Sequence, residues 1–390
     1  MRRRLGALPN KEKIVLIKQE EKNLMQKMKK MLCLVLALVM VFAVAACGTS
    51  TDTTAATTDT TAADTAADTA ADDTVYELNL YHTFSATGHE EMWFQKAAEE
   101  IKAQTDGHVI ITTAPDGVMG GEDEVNPQVY AGALDMSLSG PSVWGGNCGV
   151  EAIGWSELPY IVDNYDEMTA LSKVLPDLIN QQLEESGESD KLVCIGAMSQ
   201  GIRCLCTDAD HPVYTMADCN GLKVRVPSGD VYMNAMASFG CSAQYMSSKE
   251  VITSLNNGVI NGFESDPTSI ISRGQEVAFH YYIETNHIAS LNLLMISASR
   301  LAALPEEYQE IVKNVFIDYC AQEVEDRVSY EENDLQACKD AGIEVIELSD
   351  EAFAEFKEAG TKYQQEWLAQ YGCEDIVAQA KELIAAELAK

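Results

Sequence analysis

At 390 residues with a 46% hydrophobic fraction, the chain is long enough to build two domains, each with its own core. Its formal net charge of −34 argues against nucleic acid and against adhesion to anionic lipid headgroups, and favours solubility at a crowded surface. It does not identify a ligand, because one buried arginine dominates its local field whatever distant carboxylates do.

Lys27, Lys29 and Lys30 precede an apolar run from Met31 to Ala46 that is too short and too one-sided in its flanks for a spanning helix. Residues 1–46 therefore read as a signal peptide. The run ends in Val44-Ala45-Ala46-Cys47-Gly48, which resembles the lipobox of bacterial lipoproteins, so Cys47 is the expected lipidation site and mature N-terminus. Residues 1–24 add nothing to this design; translation is expected to start at Met25 or Met28. Residues 47–74 are almost entirely Thr, Ala, Asp and Ser, a composition that cannot bury enough surface to fold and predicts a flexible acidic tether. Of 11 cysteines, the nine beyond Cys47 form no metal-ligand pattern, and their odd number leaves at least one thiol free. No metal or cofactor is expected.

The folded part opens near Val75 with an alternating strand, Tyr76 to His82. A helix from Glu90 to Lys102 carries Met92, Trp93, Ala97 and Ile101 on one stripe; a strand, 108–112, and a Gly-rich loop, 115–121, follow. The loop lacks the Lys-Ser/Thr of a phosphate cradle and reads as a plain turn. A second helix bearing Val125, Val129 and Ala133 leads to a strand over 133–138, an alternation that implies βαβ units and a parallel sheet. Asn164 to Leu175 reads as a helix, and 192–198 and 202–206 as two strands, the second carrying Arg203 among apolar residues. Gly221-Leu222-Lys223-Val224-Arg225-Val226-Pro227 is a short strand in which Leu222, Val224 and Val226 share one face while Lys223 and Arg225 share the other. An arginine so planted needs an anion, either a structural carboxylate or a ligand in a cleft; two of them can clamp one carboxylate.

Beyond this strand, Asp230 to Phe239 is a helix with Ser228 or Asp230 as N-cap. Ser247 with Glu250 forms a capping-box pattern before a helix that stops near Gly258. The stretch 259–265 returns as a strand whose tip, Asn261, Glu264 and Ser265, is expected at the same cleft edge as Arg225. An apolar strand over 290–297 crosses back, Pro305 opens a helix running to about Ala341, and helices around 353–371 and 374–388 wrap the end.

In this order the elements resemble the DctP-type extracytoplasmic solute receptors of tripartite ATP-independent periplasmic (TRAP) transporters. The likeness rests on the 221–227 strand, the Leu158-Pro159-Tyr160 turn, the turn at Asn257 to Gly262, Thr285-Asn286-His287 and the Leu304-Pro305 helix start. It implies an α/β, two-domain periplasmic-binding-protein-like fold with a cleft and a long hinge-spanning helix. Residues 75–201 with about 291–330 would form domain I, and 202–290 with about 331–390 domain II. It also implies a carboxylate gripped by Arg225 with Arg203 as second contact, and delivery of that organic acid to small and large membrane subunits. Many members have Gln-Glu-Asn after the Asn-Gly turn. Here Phe263-Glu264-Ser265 stands instead, leaving Ser265 and Glu264 as candidates for the remaining contact. Trp144, Trp155 and Tyr232 are candidates to set ligand size, or else core.

Three other classes compete. A serine hydrolase is suggested by Ala197-Met198-Ser199-Gln200-Gly201, a variant nucleophile elbow, but the following Ile202 to Cys206 reads as strand where that motif requires helix. His82, His89, His280 and His287 adjoin no recognisable nucleophile and read as structural. A receptor for an ATP-driven importer would share the cleft but not this set of turns, and a structural lipoprotein would bind no small anion.

Overall fold

The computed structural model describes residues 74–390. The expected signal peptide, Cys47 and all of the tether before Thr74 lie outside the described residues.

The first elements follow the expected alternation: β1 (Tyr76–Tyr81), α1 (His89–Gln104), β2 (Val109–Ala114), α2 (Glu122–Tyr130) and β3 (Met136–Ser139). After α3 (Pro141–Cys148) and a 3₁₀ segment (Glu151–Glu157) comes α4 (Tyr165–Ser186), which continues a further three turns beyond the expected Leu175, through Pro176. Proline inside a helix costs about 3 kcal/mol. Here the stripe Leu171, Leu175, Leu178, Ile179 and Leu183, all at most 1% exposed, outweighs that cost by burial.

The two strands expected over 192–206 are one, β4 (Leu192–Thr207). Then come β5 (Lys223–Val226), α5 (Asp230–Ser238), β6 (Ser242–Tyr245), α6 (Val251–Asn256), β7 (Gly262–Ser265) and α7 (Pro267–Ser272). The crossing strand β8 runs from Tyr281 to Ser297, longer than expected. The short α8 (Ala298–Leu301), the 35-residue α9 (Glu306–Asp340), β9 (Glu344–Ile346), α10 (Asp350–Tyr371) and α11 (Glu374–Leu388) complete the chain.

All nine strands form one sheet, ordered β2-β1-β3-β8-β4-β7-β5-β6, with β9 also on β8. The parallel sheet expected from sequence holds at the two ends, where β1 pairs with β2 and β3, and β5 with β6 and β7, and in the short pairing of β9 with β8. The centre is antiparallel, because β4 and β8 run in opposite directions between the two lobes. Their pairing shifts register between Cys194 and Gly196, Ser199 and Gly201, and Arg203 and Leu205. Such bulges bend a strand and re-aim its side chains, and the last of them sits at Arg203.

Each lobe has its own core. In the first, Leu80, Phe94, Ile101, Met136 and Phe316 pack around the β1–β3 end. In the second, Val224, Val226, Met236, Phe239 and Phe356 pack around β5. The last helix, α11, shares a cluster with α4, Ile376 and Ile384 packing beside Leu175 and Leu183. Helix α9, about 52 Å long at 1.5 Å per residue, spans both lobes: Phe316 joins the first core and Cys338 a cluster with Phe263 and Ile343.

Two expected caps are absent. Helix α5 starts after Gly229 with no side-chain cap, since Ser228 Oγ donates to Asp123 Oδ1 at 2.8 Å instead. Gly229 has φ 118°, and a Cβ there would lie 2.0 Å from Ser142 Oγ, so glycine is what lets α5 approach α3. Ser247 makes no cap hydrogen bond; a 3₁₀ turn, Ser248–Glu250, precedes α6.

Candidate functional site

Where the ends of the sheet face each other, a polar cavity of about 260 Å³ opens. The first lobe contributes Thr83, Gly120 to Glu124, Gly140 and Val143; β4 and β8 contribute Gln200, Arg203 and Asn292. The second lobe contributes Arg225, Ser228, Tyr232, Tyr245, the 247–249 turn and Arg273.

Arg225 reaches this cavity because β5 alternates: Lys223 is exposed, Val224 and Val226 fill the core, and Arg225 takes the opposite face with only 6% exposure. Its Nε donates to Met246 O at 2.7 Å. Among the described residues no carboxylate forms an ion pair with it. Burial pushes its pKa down to about 10; Glu264 attracts the charge from a distance, and Arg273 and Arg203 repel it.

Arg203 is held differently. Its Nη2 donates to Glu264 Oε1 at 2.7 Å and to Glu264 O at 2.9 Å, and its Nε bonds Glu264 Oε2. Burial works against the charge, but attraction and hydrogen bonds from Glu264 outweigh it and raise the Arg203 pKa. The same pair keeps Glu264 below its ordinary value although burial alone would raise it. His287 stands 3.6 Å from Glu264 Oε2 and shares a 2.8 Å hydrogen bond with Thr285 Oγ1. Arg203 lies over the Tyr232 ring at 5.2 Å, and its Nη1 is buried with no partner. One face of this guanidinium is neutralised and one nitrogen is left over.

The four sequence candidates therefore separate. Arg225 and Arg203 come together at the cavity. Glu264, fully buried, is the counter-ion of Arg203 and not part of the cavity lining; Ser265, paired with Cys204 on β4, does not line it either. Asn261 is engaged with Lys223 backbone, its Oδ1 accepting at 3.2 Å. Of the three aromatic candidates only Tyr232 lines the cavity. Its hydroxyl donates to Glu157, a buried carboxyl that also accepts from Ser142 N and Ser290 Oγ, each at 2.9 Å. Burial pushes Glu157 up to about 7 despite these donors. Trp144 and Trp155 are core, their ring nitrogens bonded to Leu293 O and Gln182 Oε1.

Arg273 was missed in the sequence. It follows α7, is half-buried, and its side chain makes no hydrogen bond or ion pair among the described residues; its guanidinium lies 5.2 Å from the Phe84 ring. Gln200 and Asn292 were missed too, their polarity hidden inside apolar strands.

The acidic side of the cavity is satisfied by neutral donors. Thr83 Oγ1 donates to Glu122 at 3.1 Å, Gly121 N to Glu124 at 2.9 Å, and Ser228 and the Tyr245 hydroxyl to Asp123. The last two contacts join the lobes across the cavity mouth. Ser199 is not a nucleophile elbow: it lies mid-strand in β4, its Oγ accepts from Gly201 N at 2.8 Å, and no histidine adjoins it. His82 and His89 pair with Glu91 and Glu323, His280 packs edge-on against Tyr281, and none of the four histidines lines the cavity. The nine described cysteines are all free thiols.

A family model described as bacterial extracellular solute-binding protein, family 7 (DctP), matches residues 82–370. A solute-binding protein of Chromohalobacter salexigens is 29% identical over 264 residues, covering 65% of this chain and 74% of its own. The C4-dicarboxylate-binding periplasmic protein DctP of Rhodobacter capsulatus is 26% identical over 288 residues, covering 73% of this chain and 83% of its own. Among solved structures, a TRAP periplasmic solute-binding protein from Haemophilus influenzae with bound L-gulonate superposes with a TM-score of 0.72 at 22% identity, covering 79% of this chain and 99% of that one.

Proposed function

The chain belongs to the family-7 bacterial extracellular solute-binding proteins, and on that premise we propose that it captures an organic acid between its lobes with Arg225 as carboxylate anchor and Arg203 Nη1 as second donor. It is an extracytoplasmic receptor and not an enzyme, and delivery of the bound solute to TRAP membrane subunits is the family role. One observation carries the residue assignment: Arg225 is more than nine-tenths buried, faces a cavity and has no carboxylate partner among the described residues. A structural arginine in so acidic a chain would have been paired. Glu264 acts by fixing Arg203, and Ser265 does not line the cavity, so neither is a direct contact in this reading.

The lobes comprise residues 75–201 with about 291–330, and 202–290 with about 331–390, except that α11 returns to the first lobe. Closure of these lobes removes the water that competes with an arginine fork for a carboxylate. Lipidation of Cys47 keeps the receptor at the outer face of the membrane, and replacing Cys47 by Ser should release it to the soluble fraction.

The test is a thermal-unfolding screen of wild type and Arg225→Ala against organic acids and neutral sugars. A specific acid at a hundredfold excess over its Kd should stabilise wild type by about 2.7 kcal/mol and the variant not at all. Neutral sugars stabilising both proteins alike would remove Arg225 from the site.

A further inference from the structure

Arg225 and Arg203 do not exhaust the cationic side of the cavity. The guanidinium of Arg273 lines it as well, without hydrogen bond or ion pair among the described residues; it approaches the Phe84 ring, and Asp266, Glu122 and Glu90 attract it from beyond ion-pair distance. A guanidinium carries five N–H groups, whereas one carboxylate offers about four lone-pair sites. Arg225 Nη1 and Nη2 with Arg203 Nη1 already fill those sites, and Arg273 remains unmatched. Among the described residues no carboxylate of the opposite wall forms an ion pair with it; Glu122 attracts its charge without closing a contact, and each of these carboxylates is engaged by Thr83, Gly121, Ser228 or Tyr245.

The rest of the lining is suited to hydroxyl groups. Among the described residues the Gln200 amide nitrogen and both polar atoms of the Asn292 side chain make no hydrogen bond, and the two residues are buried at 8% and 3% exposure. Glu122 has an oxygen free to accept from a hydroxyl, and the apolar contribution is confined to Val143, Pro227 and parts of the tyrosines. A flat apolar acid would leave these amides dry and unpaired, which costs about 1–3 kcal/mol for each such group.

We propose that Arg273 forms a second anion subsite, and that the preferred solute is a small polyhydroxylated dicarboxylate, one carboxylate on Arg225 and Arg203 and the other on Arg273. This rests on the receptor reading above and refines it. An acid with a single carboxylate can occupy the same cavity, but it leaves the Arg273 charge desolvated and without an acceptor.

The experiment is calorimetric titration of the purified protein with D-glucarate and with D-gluconate, which differ only in whether the sixth carbon is a carboxylate or a hydroxymethyl group. Wild type should bind glucarate at least about tenfold more tightly, the effect of one charge-assisted contact. In Arg273→Gln that ratio should fall to near one, and Arg273→Lys, which restores the charge without the fork, should recover part of it. Thermal unfolding of each variant without ligand establishes that it is folded. A wild-type ratio near one, or a ratio that Arg273→Gln leaves intact, overturns the second subsite while the receptor reading stands. If neither these acids nor any carboxylate in the wider screen binds, both readings fall.

Discussion

Replacing Arg225 by Met should make the empty receptor more stable and the loaded receptor less so. The buried guanidinium has its pKa pushed down to about 10. Relative to an ordinary arginine that is about 3 kcal/mol of unfavourable charge burial. The cost is fully present at any pH below the folded value, so it applies throughout the neutral range. Methionine fills a similar stem volume and forfeits only the hydrogen bond to Met246 O, worth about 1 kcal/mol. The expected net gain is therefore about 2 kcal/mol. With an unfolding entropy of about 2.1 cal/mol/K per residue over the roughly 320 described residues, each kcal/mol moves Tm by about 1.5 °C. The variant should melt about 3 °C above wild type without ligand. Wild type, at a hundredfold excess of its solute over Kd, should rise by about 4 °C and the variant should not move, so the two orders invert. Scanning calorimetry with and without ligand reads both effects. An Arg225→Met protein that melts below wild type and still responds to ligand would show that the arginine is a structural element and that the anchor lies elsewhere.

Arg327 should behave in the opposite way, because its charge is fully matched: Nη1 bonds Glu90 on α1 at 2.9 Å and Nη2 bonds Asp266, the N-cap of α7, at 2.8 Å. Arg327→Met strands these buried carboxylates, expected to cost about 3–5 kcal/mol or about 5–8 °C in Tm. Burial opposes ionisation of Glu90, but Arg327 holds its pKa below the ordinary 4.5, so this stabilisation exists above that value and is lost as pH falls through the folded one. The gap between wild type and variant should thus narrow below about pH 4.5, and an equal gap at pH 7 and pH 4 in urea unfolding would refute the assignment. Glu331 is the mirror case: burial pushes its pKa well above 4.5, and its Oε1 is buried without a partner. Its contribution is full below 4.5 and is lost as pH rises, so Glu331→Gln should raise Tm at pH 7–8 and converge with wild type at acid pH; a pH-independent difference would count against it. Asp123→Ala removes the acceptor of Ser228 and Tyr245 at the cavity mouth, and should weaken solute binding about tenfold by calorimetry; an unchanged Kd would mean that these contacts do not serve closure.

The parts of the site that were legible share one property, a charge interrupting an apolar strand. Arg225 and Arg203 stood out because strand alternation leaves each no solvent to point into. Arg273 gave no such signal: it follows a six-residue helix in a Ser-Arg-Gly turn, where an arginine is ordinarily a surface residue, and only the fold brings it beneath Phe84. The sequence also split β4 where the structure has a bulge, and began β8 only at Ser290. Gly201, φ 88°, breaks the hydrophobic period without breaking the strand, and a Cβ there would lie 1.8 Å from Glu331 Oε1. Helix α9 conceals its buried charges in the sequence. Glu323, Arg327 and Glu331 stand four residues apart with alternating sign, a spacing that on a solvent-facing helix is an ordinary ion-pair ladder. Here that stripe is buried, with Glu323 accepting from Ser199 N at 2.7 Å on the crossing strand.

Ordered from helix α9 to the cavity, four arginines grade from matched to unmatched. Arg327 has two carboxylates, Glu90 and Asp266, Arg203 has one, Glu264, each guanidinium with one buried nitrogen to spare, and Arg225 and Arg273 have no carboxylate partner among the described residues. That gradient has a thermodynamic direction. Matched charges stabilise the fold whether or not solute is present, so they cannot report occupancy. Unmatched ones destabilise the empty closed form and are relieved only when an anion enters, and a ligand shifts a conformational equilibrium only by its differential affinity for the two states. If Arg225 and Arg273 hold the solute as proposed, concentrating the unmatched charge at the cavity places the receptor's response to solute in those two residues, while Arg327 ties Glu90 of α1 to Asp266 before α7 whether or not solute is bound.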